Sequence, residues 1–249
     1  MRSLALVGLI ALSCMWVAPA WAGPSLTLTL DDGAAQGIGP EKVATGLQLL
    51  LLLTILAVAP ALVLMLTSFT RILIVLSFVR QALSTNQLPP NQILVGLALL
   101  MTFFVMTPTW QVVHDQSLRP YLEGELSAGD ALKEGAVPLR TFMLRQTREK
   151  DLQLFAGMAA QERPQSVDDL PLTVVVPAFL ISELRTAFQM GFVIYLPFLV
   201  VDMVVASILM SMGMLMLPPA MISMPFKILL FVLVDGWHLV VSSLLRSFG

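Results

Sequence analysis

The sequence predicts an all-α, membrane-associated fold: two long, kinked helical hairpins separated by a polar helical insert. Three observations lead there. Of the 249 residues, 57% are apolar and 12% charged, which lies outside the soluble globular range. The apolar residues gather into runs at or near the ~20 residues that a helix needs to cross a bilayer. Between two groups of such runs, Thr109 to about Leu180 holds seven Lys and Arg against ten Asp and Glu, as expected of a water-exposed segment.

The elements follow in chain order. Residues 1–22 carry an early Arg2, the apolar run "LALVGLIALSCMWVA" and then "APAWA" before Gly23, the pattern of a cleavable signal peptide. An uncleaved first helix is the competing reading, but its apolar core is short for a span. Cleavage would remove the only cysteine, Cys14, and leave the mature chain without a thiol for a disulfide or metal site. A polar lead over 23–43 precedes the first hairpin, 44–108. There Ala44 to Leu66 is apolar enough to span, Pro60 is expected to bend it, and apolar character continues to Leu83 as one bent helix or a helix pair. "NQLPPNQ" forms a tip, and Ile93 to Met106 returns and is expected to stop at Pro108. In the insert, 109–180, "SAGDALKEG" and "LRTFMLRQTREKDLQLFAGMA" place apolar residues at three- and four-residue spacing, predicting amphipathic helices. The second hairpin, 181–249, comprises a helix from Val174 to about Met210, a methionine tract, and a helix from Pro225 to Leu245.

Charge sets the expected orientation. Arg71 and Arg80 flank the tip with no acid nearby, whereas the lead carries three acids against one Lys, so the tip is expected in the cytoplasm and the lead outside. The insert then falls in the periplasm, and simple alternation returns the methionine tract to the cytoplasmic side.

Several function classes fall away. The net charge of -2 and the absence of a basic stripe argue against nucleic acid. His114 and His238 are the only histidines, too few for a metal site without a carboxylate cluster. Asp235, His238, Ser242 and Ser243 lie close in sequence, but helical spacing alone generates such groupings, and no nucleophile elbow accompanies them. No glycine-rich phosphate loop occurs, so ATP binding is not expected, nor is any other cofactor. An enzymatic role is not expected.

Ionisable residues inside apolar runs say more: Glu183, Arg185, Asp202, Lys227 and Asp235. Each would cost about 2.5 to 3.5 kcal/mol at a bilayer centre, so each should be paired, wetted or close to a helix end. An ion pair between Glu183 and Lys227, within one hairpin or between copies, competes with snorkelling of Lys227 beside Pro225. Asp202 could face a lumen, and Asp235 is the weaker partner for Lys227, eight residues along the same helix.

The stretch "LMSMGMLMLPP", Leu209 to Pro219, places Met210, Met212, Met214 and Met216 at every second position. Six of the 15 methionines fall between Met210 and Met224. A helix would scatter the four alternate side chains, whereas an extended strip would align them, and Gly213 with Pro218 and Pro219 disfavours helix. Contributed by several copies around an axis, these thioethers would form a deformable collar, or gasket. Core filling by a flexible apolar side chain is the plainer alternative.

The blocks "MLTSFTRILIVLSFVRQAL", "QLPPNQILVGLALLMTFFVM", "PAFLISELRTAFQMGFVIYLPFLVVDMVVASILMSMGMLMLPP" and "PFKILLFVLVDGW" make the chain resemble the FliP/SctR family of type III secretion export-gate proteins. They cover most of Met65 to Trp237. The expected signal peptide favours the flagellar branch. The resemblance implies a homopentamer that assembles with FliQ, FliR and other export-apparatus components into a helical portal at the bacterial inner membrane and flagellar basal body. Unfolded flagellar proteins would leave the cytoplasm through that portal. It also implies that much of the assembly stands proud of the lipid. It places the family's gasket on "MSMGMLM" and an inter-subunit contact on Glu183 and Lys227, with Leu215 where another methionine is often found. The rival reading is a self-contained small-molecule transporter or channel, for which no internal repeat is visible; a purely structural scaffold is a third.

Overall fold

A computed structural model describes residues 40–85, 88–159, 170–214 and 217–249, with side chains from Gly46 onward. The signal peptide expected over 1–22 and nearly all of the lead lie outside the described residues. The chain divides into two units, Met1–Leu51 and Leu52–Gly249. Of the first, the described part is the start of helix α1 (Pro40–Met65). Pro40 suits the first helical position, where an N–H has no partner anyway.

All regular structure among the described residues is helical. α1 ends at Leu66–Ser68, where the Thr67 hydroxyl donates to the Leu64 carbonyl at 2.8 Å. α2 (Phe69–Ala82) follows, so the apolar stretch to Leu83 forms a helix pair. α2 is the best-buried helix, with Ile72, Val75, Leu76, Val79 and Ala82 fully enclosed. They share a core with Leu94, Ala98 and Met101 of α3 (Asn91–Val113), with Ala187 and Phe198 of α7 (Leu172–Ser211), and with Phe231, Val240 and Leu244. Gly191 lets α2 approach α7: a Cβ there would lie 2.5 Å from the Phe78 ring, which packs edge-on against Phe188.

The stop expected at Pro108 does not occur. α3 runs to Val113 and continues as a π-helix, His114–Leu118, and the short α4, Arg119–Leu122. Pro60, Pro108, Pro138, Pro177, Pro197 and Pro225 all lie inside helices. A proline removes one ladder bond and bends the helix, but the remaining bonds and the packing of residues such as Met106, fully buried two positions earlier, carry the helix through.

In the insert, α5 (Ala128–Gln146) is capped by Ser127, whose side chain accepts from the Asp130 backbone N–H at 3.3 Å. It joins the two stretches expected to be separate helices and breaks at Thr147, which is extended, before α6 (Glu149–Ala159). Met143, Leu152, Leu170, Val174, Val175, Ala178 and Phe179 form a second core, so the insert packs on the first turns of α7. α7 begins at Leu172, two residues before the expected start at Val174.

The terminal helix expected from Pro225 to Leu245 begins at Pro219 and is two helices, α8 (Pro219–Leu233) and α9 (Gly236–Arg246), bent by 65°. Asp235 turns the chain with φ +50°, and Gly236 is forced by the Phe231 ring, 2.2 Å from where a Cβ would sit. By length and composition, Gly46–Met65, Asn91–Leu122 and Leu172–Ser211 could each cross a membrane, and α8 with α9 could make a fourth, broken span.

Candidate functional site

Two buried charge nodes and one loop organise the residues that sequence singled out. The first node is Arg71, one turn into α2 and 2% exposed. Its Nε donates to Oε2 of the fully buried Glu183 at 2.9 Å, and Nη2 donates to Oε1 of the same carboxylate. Nη2 also donates to Gln146 Oε1 at 3.0 Å, while Nη1 donates to the Ser247 carbonyl at 2.9 Å and to its hydroxyl at 3.1 Å. The Phe248 ring lies 4.0 Å from the guanidinium carbon. One residue before Glu183, the Ser182 hydroxyl donates to Asp151 at 2.6 Å and accepts from the Arg148 backbone N–H at 3.0 Å. That contact satisfies a donor at the start of α6 from a different helix, so the insert is fastened to α7 beside the ion pair.

The second node is Lys227 on α8, fully buried. Its Nζ donates to Asp202 Oδ2 at 2.6 Å and to Ser84 Oγ at 2.8 Å. Ser223, one turn earlier, donates to the other Asp202 oxygen. Ser84 adopts φ +57° just beyond α2, so the node gathers α8, α7 and the turn after α2. Asp202 keeps 29% of its side chain exposed and so borders solvent or lipid rather than lying sealed inside.

These contacts correct the expected pairing within the chain. Glu183 and Lys227 are not partners here: each is already neutralised, by Arg71 and Asp202 respectively. Nor does Lys227 snorkel, since its ammonium is fully enclosed. Arg71 likewise is no free cytoplasmic-side charge; it is buried and paired, which leaves Arg80, bonded to Asn91, as the accessible basic residue near the tip. The sequence signal for Arg71 was available, because a cation in an apolar run needs a counterion just as Glu183 does. What could not be found were Gln146, Ser247 and Phe248, polar or apolar residues remote in sequence with no pattern of their own.

The loop joins α7 to α8. The helix reaches Ser211, so Met210 belongs to it and Met212 is its cap. Gly213, at φ +77°, ends it in a Schellman motif: the Gly213 N–H donates to the Met210 carbonyl and the Met214 N–H to Leu209, each at 3.0 Å. The extended strip expected to align four methionines therefore does not begin at Met210. Methionine is a good helix former, and glycine terminates the helix where only a left-handed residue fits. Met210 and Met212 are exposed, Met214 is half-buried, and Leu215 and Met216 lie outside the described residues. Beyond them Leu217 and Pro218 are exposed, and Pro219 opens α8.

The remaining candidates do not converge. Arg185 is exposed, Asp235 is exposed at the bend, and the Ser242 hydroxyl bonds its own helix at Leu239 rather than His238. His114 faces Asp115 at 3.0 Å on the surface. Among the described residues no group of three or more His, Cys, Asp or Glu is placed to hold a metal ion.

Helices of membrane-crossing length, tied by one enclosed and one partly exposed ion pair, with Met210 and Met212 exposed where α7 ends, define a membrane-associated protein that is helical throughout its described residues. The FliP family model matches residues 52–244, and the chain belongs to the FliP family. It is 57% identical to the Flagellar biosynthetic protein FliP of Bacillus subtilis (strain 168) over 209 residues, covering 84% of this chain and 95% of that protein. Likeness to the protein of the same name from Pectobacterium carotovorum is 52%, over 84% of this chain and 81% of that one. With the Caulobacter vibrioides protein, also so named, it is 44%, over 100% and 92%.

Proposed function

We propose that this chain is a core, non-enzymatic subunit of the flagellar type III secretion export gate. Several copies, five by resemblance, assemble with FliQ and FliR in the bacterial inner membrane, with the insert facing the periplasm. Unfolded flagellar proteins leave the cytoplasm through the resulting pore. The observation that carries this reading is the methionine loop: Met210 and Met212 expose 58% and 65% of their surface at a glycine-terminated helix end. A hydrophobic side chain left outside a core calls for an apolar neighbour, and thioethers on flexible stems can close on copies of themselves or give way to a passing chain. Gly213 ends the helix that carries Met210, and Pro218 and Pro219 lead into α8 on the other side of the loop; the gasket reading joins Met214 and Met216 to Met210 and Met212.

The test is direct. Replacing the four methionines with alanine is expected to leave the purified complex intact while raising ion conductance of cells or reconstituted membranes. Unchanged conductance with intact assembly would remove the gasket role.

A further inference from the structure

Arg71 does more than neutralise Glu183. A guanidinium has five N–H donors, and all five are engaged: two with Glu183, one with Gln146 and two with Ser247. Charge compensation of a carboxylate needs only the first two. The other three reach the end of α5, within the polar insert, and the tail after α9, and the Phe248 ring covers the guanidinium face. Gln146 closes the circuit, accepting from Arg71 through Oε1 and donating through Nε2 to the Phe248 carbonyl at 3.3 Å. Four segments remote in sequence, namely α2, α7, the end of α5 and the tail, thus meet on one side chain.

We infer that Ser247 and Phe248 form a latch, with Arg71 as the positioning residue that fastens the tail and the insert together onto the α2–α7 wall. The geometry demands arginine. Lysine keeps the charge opposite Glu183 but has three donors on a single nitrogen, which cannot reach Glu183, Gln146 and Ser247 in three directions at once. Gln146 in turn bridges the tail to α5, whose neighbour α6 is fastened at Ser182 beside Glu183, so displacement of the tail loosens the insert where it meets the wall. The latch lies beyond the FliP-family match, which ends at residue 244. It concerns coupling within one subunit and stands whether or not the methionine loop seals a pore.

Hydrogen exchange on the purified, detergent-extracted complex tests the inference, because the Ser247 and Phe248 amides bond only to the last turn of α9, at Ser243, Leu244 and Leu245, and a last turn released from its docking frays and exchanges faster. Three variants are compared: Arg71→Lys, which keeps the charge; Gln146→Ala, which leaves no charge unpaired; and a chain lacking Ser247, Phe248 and Gly249. In Arg71→Lys and Gln146→Ala, exchange at the tail amides is expected to rise about tenfold or more and to rise also over residues 144–148, with the α2 core unchanged. All three variants are expected to secrete less flagellar protein at normal complex abundance. Tail protection retained in Arg71→Lys would show that arginine serves only as a counter-charge and would overturn the latch. Full secretion by the truncated chain would overturn its coupling role.

Discussion

At the scale of single residues, the decisive fact is that, of the ionisable residues inside apolar sequence, the acids Glu183 and Asp202 and the bases Arg71 and Lys227 are drawn into the fold and could be matched in two ways. Glu183 and Lys227 attract attention because each sits in a long run of helix-forming apolar residues. Arg71 looks like a topology signal because it lies near a tip. Burial reverses that reading, since an enclosed guanidinium cannot remain without a carboxylate, and the bidentate fit to Glu183 is the arrangement in which both are satisfied. Glu183→Ala, by leaving Arg71 charged and enclosed, is expected to lower stability by about 3–5 kcal/mol, measured as the shift in unfolding of the purified complex. Replacing both partners by residues of similar volume, Arg71→Met with Glu183→Leu, should recover most of that loss while leaving the tail free. A single-variant effect below about 0.5 kcal/mol, the range of surface substitutions, would mean that the pair is not enclosed in the assembled protein.

At the scale of elements, Lys227 separates a tie within one subunit from a contact between subunits. Its partner in the chain, Asp202, lies nine residues before Ser211, where α7 ends, and Ser223 holds the same carboxylate from the far side of the methionine loop. The node therefore clamps both arms that carry the loop. Lys227→Glu is expected to abolish assembly, read as the amount of complex recovered from membranes. Recovery on adding Asp202→Lys supports the clamp, whereas recovery only on adding Glu183→Lys supports the contact between copies that family resemblance implies. Helical content, the extent of α7 and the amphipathic character of the insert were legible because periodicity and apolar length report them locally, whereas the insert helices join and break elsewhere than the two expected stretches. The helix stops were not. Proline at 108 and 225 reads as a boundary in isolation, yet neighbouring bonds and packing carry the helix past it. The true break at Asp235–Gly236 depends on the Phe231 ring, which only the folded chain brings there. The glycine at 213 was read correctly as helix-incompatible, but it ends the helix just beyond Ser211 rather than placing the whole methionine stretch in an extended strip.

At the scale of the whole molecule, α7 sets a length that lipid alone does not match. Its 40 residues extend about 60 Å at 1.5 Å per residue, against about 30 Å of hydrocarbon. Large apolar side chains stay exposed along much of it, from Phe188, Phe192 and Val193 through Val200 and Met203 to Ile208 and Met210. With Ile181 and Leu184, which are also exposed, this stretch extends about 45 Å, of which a bilayer covers about two thirds, and the remainder needs other protein chains. α1 also exposes large apolar side chains, among them Leu56, Leu62 and Val63. The expected outcome is that native mass measurement of the gently extracted protein finds a large hetero-oligomer, several copies of this chain with small hydrophobic partners. A stable monomer or homodimer that keeps α7 soluble without partners would instead favour a self-contained transporter. In that case the exposed apolar length would have to be covered by detergent or lipid along its full extent, and hydrogen exchange or labelling along α7 would show no segment shielded by protein.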